Sequence, residues 1–107
     1  MKNKLINQVV ILCGGRGSRL IPLTNKVPKP MIDINGKPFL LILIEYLKSL
    51  NLQNFLLLTG YKNKLISNYF GNGSRFNLNI KYSYSPLSTN TAKRIYLAKN
   101  QLSNNFL

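Results

Sequence analysis

Three glycines and two arginines fall within the run Gly14-Gly15-Arg16-Gly17-Ser18-Arg19, and Lys29 follows between Pro28 and Pro30. Glycine lacks Cβ, so the backbone of such a run can turn sharply and approach a ligand closely. Successive N–H groups in a turn of this kind form a concavity that takes an anion. The prolines restrict φ on both sides of Lys29, which predicts an extended Pro-Lys-Pro segment holding the ammonium in place. Glycines, backbone donors and fixed cations together suit a polyphosphate. The run is not a dinucleotide fingerprint, because Gly-x-Gly-x-x-Gly is absent, and it is not a P-loop, because no Gly-Lys-Ser or Gly-Lys-Thr follows it. Taken alone, it also fits an ordinary strand-to-loop turn with solvated arginines.

The elements that must position these residues are legible around them. Val9 to Cys13 is apolar, rich in β-branched residues and bounded by glycine, which predicts a buried strand. Its unbroken hydrophobicity suits a parallel sheet covered on both faces. Gly14 to Pro30 is a long loop, and a short strand over Met31 to Ile34 leads into the Asn35-Gly36 turn. Pro38 opens a helix that runs to about Leu50 and is apolar almost all round, as a helix buried on more than one side would be. A strand over Phe55 to Thr59, a helix over Tyr61 to Phe70 and a strand over Leu78 to Tyr84 follow. Ser85 to Asn90 is a loop. Thr91 to Leu102 is a helix whose expected inward residues are Ala92, Ile95, Tyr96, Ala98 and Leu102. The alternation of strand and helix predicts an α/β fold with a parallel sheet and right-handed crossovers.

The chain of 107 residues gives one small domain. With 15 Lys and Arg against 2 Asp and Glu and no His, its formal charge is +13, which favours polyanionic partners. The cations are scattered, so a generally basic surface accounts for them as well as a dedicated patch does. The aromatic residues sit at core spacing and are not interleaved with cations. That counts against the main alternative, a small basic nucleic-acid-binding module. The single cysteine, Cys13, excludes an internal disulfide and reads as a small hydrophobe at the end of the first strand. The basic start has only a short apolar run behind it, unlike a secretory leader. The block Phe39 to Ile44 is too short to span a bilayer. These features predict a cytoplasmic protein.

The longer constellation is more specific. Leu-x-Gly-Gly-x-Gly-Ser-Arg-Leu-x-Pro-Leu-Thr from Leu12 to Thr24, followed by Pro28-Lys29-Pro30-Met31, resembles the signature of the sugar-nucleotide pyrophosphorylases. These nucleotidyltransferases join a nucleoside triphosphate to a sugar 1-phosphate. The chain looks most like the N-terminal half of the bacterial guanylyltransferases acting on heptose or mannose 1-phosphate. Asp33-x-Asn35-Gly36-Lys37-Pro38-Phe39, Thr59-Gly60-Tyr61-Lys62 and Pro86-Leu87-Ser88-Thr89 extend the likeness, the last as a worn Pro-Leu-Gly-Thr.

The resemblance implies a Rossmann-like three-layer α/β/α fold with a parallel sheet, a truncated form of the nucleotide-diphospho-sugar transferase fold. It implies that residues 1–107 are the incomplete nucleotide-binding part of that domain. The implied reaction is attack of a sugar 1-phosphate on the α-phosphorus of a triphosphate, GTP by likeness, with release of pyrophosphate. Lys29 and Arg19 would be the catalytic residues. Leu12, Gly14, Gly15, Gly17, Ser18, Arg19, Pro86 and Leu87 would bind the nucleotide. Magnesium is the family's cofactor, but its aspartate ligand lies beyond the matched part; the only carboxylates here, Asp33 and Glu45, do not resemble it. Phe106-Leu107 would begin the family's fourth strand, which pairs beside the first. An incomplete fourth strand leaves an apolar edge that invites association, so self-association or a complementary chain is expected, with the isolated chain inactive.

Overall fold

A computed structural model of the chain describes residues 6–15, 22 and 25–107. Three parallel strands form the main sheet: β1 (Val9–Cys13), β4 (Asn54–Thr59) and β5 (Asn79–Tyr84), in the order β1-β4-β5. Val9 to Cys13 pair with Phe55 to Thr59, and Asn54 to Thr59 pair with Asn79 to Tyr84. β4 is central, and its residues Phe55, Leu56, Leu57, Leu58 and Thr59 are all buried. Only a strand covered on both faces can carry such a run.

Two helices cover one face. α1 (Phe39–Ser49) and α2 (Asn63–Phe70) contribute Leu40, Leu41, Ile44, Leu47, Ile66 and Phe70 to a cluster with Val9, Cys13, Phe55, Leu57 and Ile80. The other face is covered by α3 (Thr91–Leu97) and the 3-10 turn after it, where Ala98 and Leu102 meet Val10, Leu56 and Leu58. The result is the expected three-layer α/β/α arrangement. After α3 the chain returns to the outer side of β1. Gln8 bridges Phe106 in parallel, Leu107 N–H donates to Gln8 O at 2.8 Å, and Val10 N–H donates to Leu107 O at 2.8 Å. Phe106-Leu107 therefore pair beside the first strand, as the resemblance implies. Winding runs outwards from β1 over one face, then doubles back over the other, so β1 lies where the direction of winding reverses.

Between β1 and α1 lies a small hairpin, β2 (Asp33–Ile34) with β3 (Lys37–Pro38). Its turn residues Asn35 and Gly36 have φ of 52° and 90°. Positive φ at both central positions is what the twist of a two-residue hairpin requires. Asp33 Oδ2 accepts from Gly36 N–H at 3.2 Å and closes the turn.

Four expectations need correction. Lys29 is not in an extended segment: Lys29–Met31 form a 3-10 turn, with Met31 N–H on Pro28 O at 2.9 Å. Pro30 sits in its first turn, where a missing N–H costs no bond. Pro38 caps α1 from outside and is not its first helical residue. α1 is buried on one side, through Leu40, Leu41, Ile44 and Leu47, and not on more than one, since Phe39, Ile42 and Tyr46 are exposed. The helix expected to Leu102 ends at Leu97 and passes into the 3-10 turn Lys99–Gln101. Its inward face is also different: Ala92, Ile95 and Tyr96 are exposed, while Arg94 is 5% exposed and Ala98 fully buried. Arg94, Ala98 and Leu102 recur every fourth residue and share a side, and that side faces the sheet.

Candidate functional site

All three long strands point their carboxyl ends the same way, and the loops that leave them are Gly14-Gly15, Gly60-Tyr61 and Ser85-Pro86. Open parallel sheets bind ligands outside these ends, where the winding reverses. In this chain that place is the end of β1. A hollow of about 270 Å³ lies there, lined by Leu12, Cys13, Gly15, Lys29 and Pro30. The sheet supplies Leu12 and Cys13, and the glycine turn supplies Gly15. The 3-10 turn brings Lys29 across, because Phe39 N–H on Ile32 O at 2.9 Å ties the end of that turn to the start of α1. Lys29 is exposed, and no hydrogen bond or ion pair holds its ammonium among the described residues.

The two glycines of the described turn do different things. Gly15 is exposed, and a Cβ there would meet nothing within 4 Å among the described residues. Gly14 is buried, and a Cβ there would lie 2.1 Å from Arg94 Nη1. Its glycine character serves the approach of a guanidinium from within the fold, not a strained φ. Gly60 is in the same position: its Cβ would lie 2.6 Å from Arg94 Nη1 and 2.8 Å from Gly14 O.

Arg94 is the residue that sequence reasoning missed. Its guanidinium donates to the main chain of every loop at this end of the sheet. Nη1 reaches Thr59 O at 3.1 Å, Ser85 O at 3.2 Å and Ser85 Oγ at 2.9 Å. Nη2 reaches Gly14 O at 3.3 Å, Pro86 O at 3.0 Å and Leu87 O at 3.4 Å. Nε donates to Thr89 O at 3.1 Å. A buried charge is tolerated only when its donors are matched, and these acceptors match it without a carboxylate. The spacing of Arg94 with the small Ala98 one turn on was the available signal.

The other expected site residues divide into four groups. Leu12, Gly15 and Lys29 come together in the hollow. Gly14 stands behind it, its carbonyl held by Tyr61 N–H at 3.1 Å and by Arg94. Pro86 and Leu87 do not line the hollow. They leave β5, two strands away from β1, and both carbonyls are turned onto Arg94. Asn90 caps α3, its Oδ1 accepting from Lys93 N–H at 2.8 Å. Arg16, Gly17, Ser18 and Arg19 lie outside the described residues. Tyr82 packs against the core and donates its hydroxyl to Gly71 O at 2.6 Å, whereas Tyr84, expected to pack as well, is exposed.

Cys13 is buried, its thiol donating to Ile11 O at 3.6 Å, and burial pushes its pKa up to about 12. A thiol so far from ionising is no nucleophile. The carboxylates do not fit a magnesium ion. Asp33 closes the hairpin turn, and Glu45 pairs with Lys37 at 3.0 Å on the exposed side of α1. Among the described residues no group of three His, Cys, Asp or Glu could hold a metal. Nor is any described helix long and apolar enough to cross a membrane.

Comparison with known proteins agrees with this geometry. The family model for nucleotidyl transferase matches residues 8–107. D-glycero-alpha-D-manno-heptose 1-phosphate guanylyltransferase of Campylobacter jejuni is 42% identical over 87 residues, covering 79% of this chain and 39% of that enzyme. A probable glucose-1-phosphate cytidylyltransferase of Bacillus subtilis is 43% identical over 63 residues, covering 59% of this chain and 25% of that enzyme. Among solved structures, HddC of Yersinia pseudotuberculosis complexed with GMP-PN superposes with a TM-score of 0.78 at 34% identity, covering 92% of this chain and 44% of that one. The chain thus spans less than half the length of these relatives and corresponds to their N-terminal part. The parallel sheet, the glycine turn at its reversal point and the matched residues together place the chain in the nucleotidyl transferase family.

Proposed function

We propose that this chain is the nucleoside-triphosphate-binding part of a sugar-1-phosphate nucleotidyltransferase, with GTP as the nucleotide. The observation that carries the reading is the hollow at the end of β1, where the glycine turn faces Lys29. In the reaction, an oxygen of the sugar 1-phosphate forms a bond to the α-phosphorus, and the bond from that phosphorus to the bridging oxygen breaks. Pyrophosphate leaves with the electron pair. Both reactants are anions, so positioning and charge neutralisation supply most of the catalysis. Lys29 would bridge the α-phosphate and the incoming sugar phosphate. Arg19 would hold the β- and γ-phosphates, and Gly14, Gly15, Gly17 and Ser18 would offer the backbone around them. Leu12 would flank the base, and Pro86 and Leu87 would contact the nucleotide from the end of β5. The carboxylates of this chain do not build a magnesium site, so no step here runs through the ion.

Guanine is supported by the heptose-phosphate guanylyltransferase relative and by the GMP-PN in the HddC structure. The cytidylyltransferase relative makes the base a question for titration. Self-association, or a complementary chain along the outer edge of β1, belongs to the same reading. The alternation that turns Val10 N–H onto Leu107 turns Leu12 to that edge too, and Leu12 is 51% exposed.

Calorimetric titration of the chain with GTP, CTP and a short RNA tests the proposal. GTP should bind more tightly than CTP, and Arg19→Ala or Lys29→Ala should each weaken it by about tenfold or more, as expected for loss of a charge-assisted contact. RNA should be only slightly affected. Equal GTP affinity in wild type and both variants would overturn the assignment. Tight RNA binding without GTP binding would favour a nucleic-acid module.

A further inference from the structure

The proposed function leaves Arg94 without a role. It lies on α3, does not line the hollow and is 5% exposed, so it cannot be a direct contact of a ligand there. Yet it spends its donors on the carboxyl ends of all three strands of the main sheet. A buried arginine is usually matched by a carboxylate. This one is matched by main-chain carbonyls and a hydroxyl, so its position dictates where those peptide groups point.

One of these peptides is the first of the glycine turn. Gly14 O is fixed from one side by Tyr61 N–H at 3.1 Å and from the other by Arg94 Nη2 at 3.3 Å. In a trans peptide the N–H of the next residue points opposite to that carbonyl. Holding Gly14 O inwards therefore turns Gly15 N–H away from the guanidinium. Gly15 is exposed and is the turn residue that lines the hollow with Lys29. The glycines support the same logic, since a Cβ at Gly14 or Gly60 would lie 2.1 Å or 2.6 Å from Arg94 Nη1. Both positions are kept free of side chain so that this guanidinium can reach through.

We infer that Arg94 is a positioning residue for the nucleotide: by clamping the Gly14 carbonyl from beneath, it presents the Gly15 N–H to the polyphosphate. The inference rests on the nucleotide-binding reading and adds to it the residue that sets the donor. Two features follow. The clamp needs a fork, because Arg94 serves Gly14, Thr59 and the Ser85–Leu87 loop at once. Lysine keeps the charge but is a single point donor, so Arg94→Lys should keep the field and lose the orientation. The clamp also links the Pro86-Leu87 loop to the glycine turn, although the two are separated by a strand.

The test uses inorganic tripolyphosphate, which probes the phosphate donors without the base. The Gly15 amide is followed by nitrogen-15 NMR on the full chain, and folding by circular dichroism. In the wild type, tripolyphosphate should bind and move the Gly15 resonance. Arg94→Lys, at a temperature where it is folded, should bind about tenfold or more weakly, and the Gly15 shift should be lost. Should Arg94→Lys not fold, Ser85→Ala removes one acceptor of the fork and should weaken binding about threefold with a smaller Gly15 shift. A folded Arg94→Lys, or in its place Ser85→Ala, that binds tripolyphosphate as the wild type does with the Gly15 shift intact would overturn the inference and leave the nucleotide reading standing. A wild type that binds no tripolyphosphate would instead remove the nucleotide reading, and this inference with it.

Discussion

The two ends of the same sheet are built from different polar chemistry. At the carboxyl end, one buried guanidinium meets main-chain carbonyls, and Lys29, unpaired among the described residues, stands beside an exposed glycine. At the amino end, carboxamides meet main-chain carbonyls and one another. Asn79 Nδ2 donates to Asn54 Oδ1 at 3.2 Å, Asn54 Nδ2 to Asn7 O at 3.3 Å, and Gln8 Nε2 to Gln101 O at 2.9 Å. The larger cavity, about 450 Å³, lies at this amino end, against about 270 Å³ beside Lys29. Size therefore does not pick the site. The amino end has neutral groups already hydrogen-bonded to one another and to the main chain, and among the described residues Lys81 is the only charged one lining its cavity. The carboxyl end has peptide groups aimed by a fixed cation and a second cation, Lys29, with no partner among the described residues. A preorganised donor set costs little to bring to a ligand, whereas carboxamides already bonded to the main chain and to one another must first give up bonds.

Mutations at the two ends should differ accordingly. The largest effect belongs to Arg94→Met, which strands several buried carbonyls at once. A loss of about 3 kcal/mol is expected, the scale for removing one partner of a buried charged network, read by urea denaturation. Asn54→Ala at the amino end should cost about 1 kcal/mol, the net worth of an ordinary hydrogen bond. Equal costs would erase the distinction between the ends. Next comes the contrast within the turn. Gly14→Ala drives a Cβ onto Arg94 and should cost about 2 kcal/mol, within the range for overpacking. Gly15→Ala meets open space among the described residues and should stay within about 0.5 kcal/mol, as surface changes usually do.

Lys29→Ala should leave the melting temperature nearly unchanged, since its ammonium is unpaired among the described residues, while weakening GTP binding. The last effect concerns pH and vanishes at neutrality. The Cys13 thiol is raised to about 12 by burial, so the folded chain keeps its proton where the unfolded chain has lost it. Stability from this group is whole below the ordinary thiol range and falls as pH rises through about 9 towards 12. Cys13→Val should flatten that alkaline decline in denaturation measured across the range.

These contrasts also show what a sequence can carry. The three long strands, the Asn35-Gly36 turn and the two helices over the first face were legible, because β-branched runs, Asn-Gly and apolar spacing are local signals. The strand expected over Met31 to Ile34 is only Asp33–Ile34, and its partner Lys37–Pro38 was not foreseen. The place of Phe106-Leu107 beside β1 came from resemblance, and the bridge to Gln8 bears it out. Arg94 was not legible, because spacing arguments assign the inward face of a helix to apolar residues. Ile95 and Tyr96 looked the natural candidates, and they point outwards. What decides the matter is long-range: carbonyls from three strands converge where only a fork of donors can satisfy them. The glycine at position 14 was read as room for a ligand, yet its missing Cβ makes room for a residue 80 positions away. The likeness to the family's Pro-Leu-Gly-Thr loop was visible at Pro86-Leu87, but not that both carbonyls face inwards.

The most direct test of the central claim is to map the GTP-induced amide shifts along the whole chain by nitrogen-15 NMR. The account predicts that Leu12, Cys13, Gly15 and Lys29, around the hollow at the end of β1, move furthest while Asn54, Asn79 and Gln101 stay in place. The largest shifts at the carboxamide-lined amino end, with Gly15 and Lys29 unmoved, would contradict it.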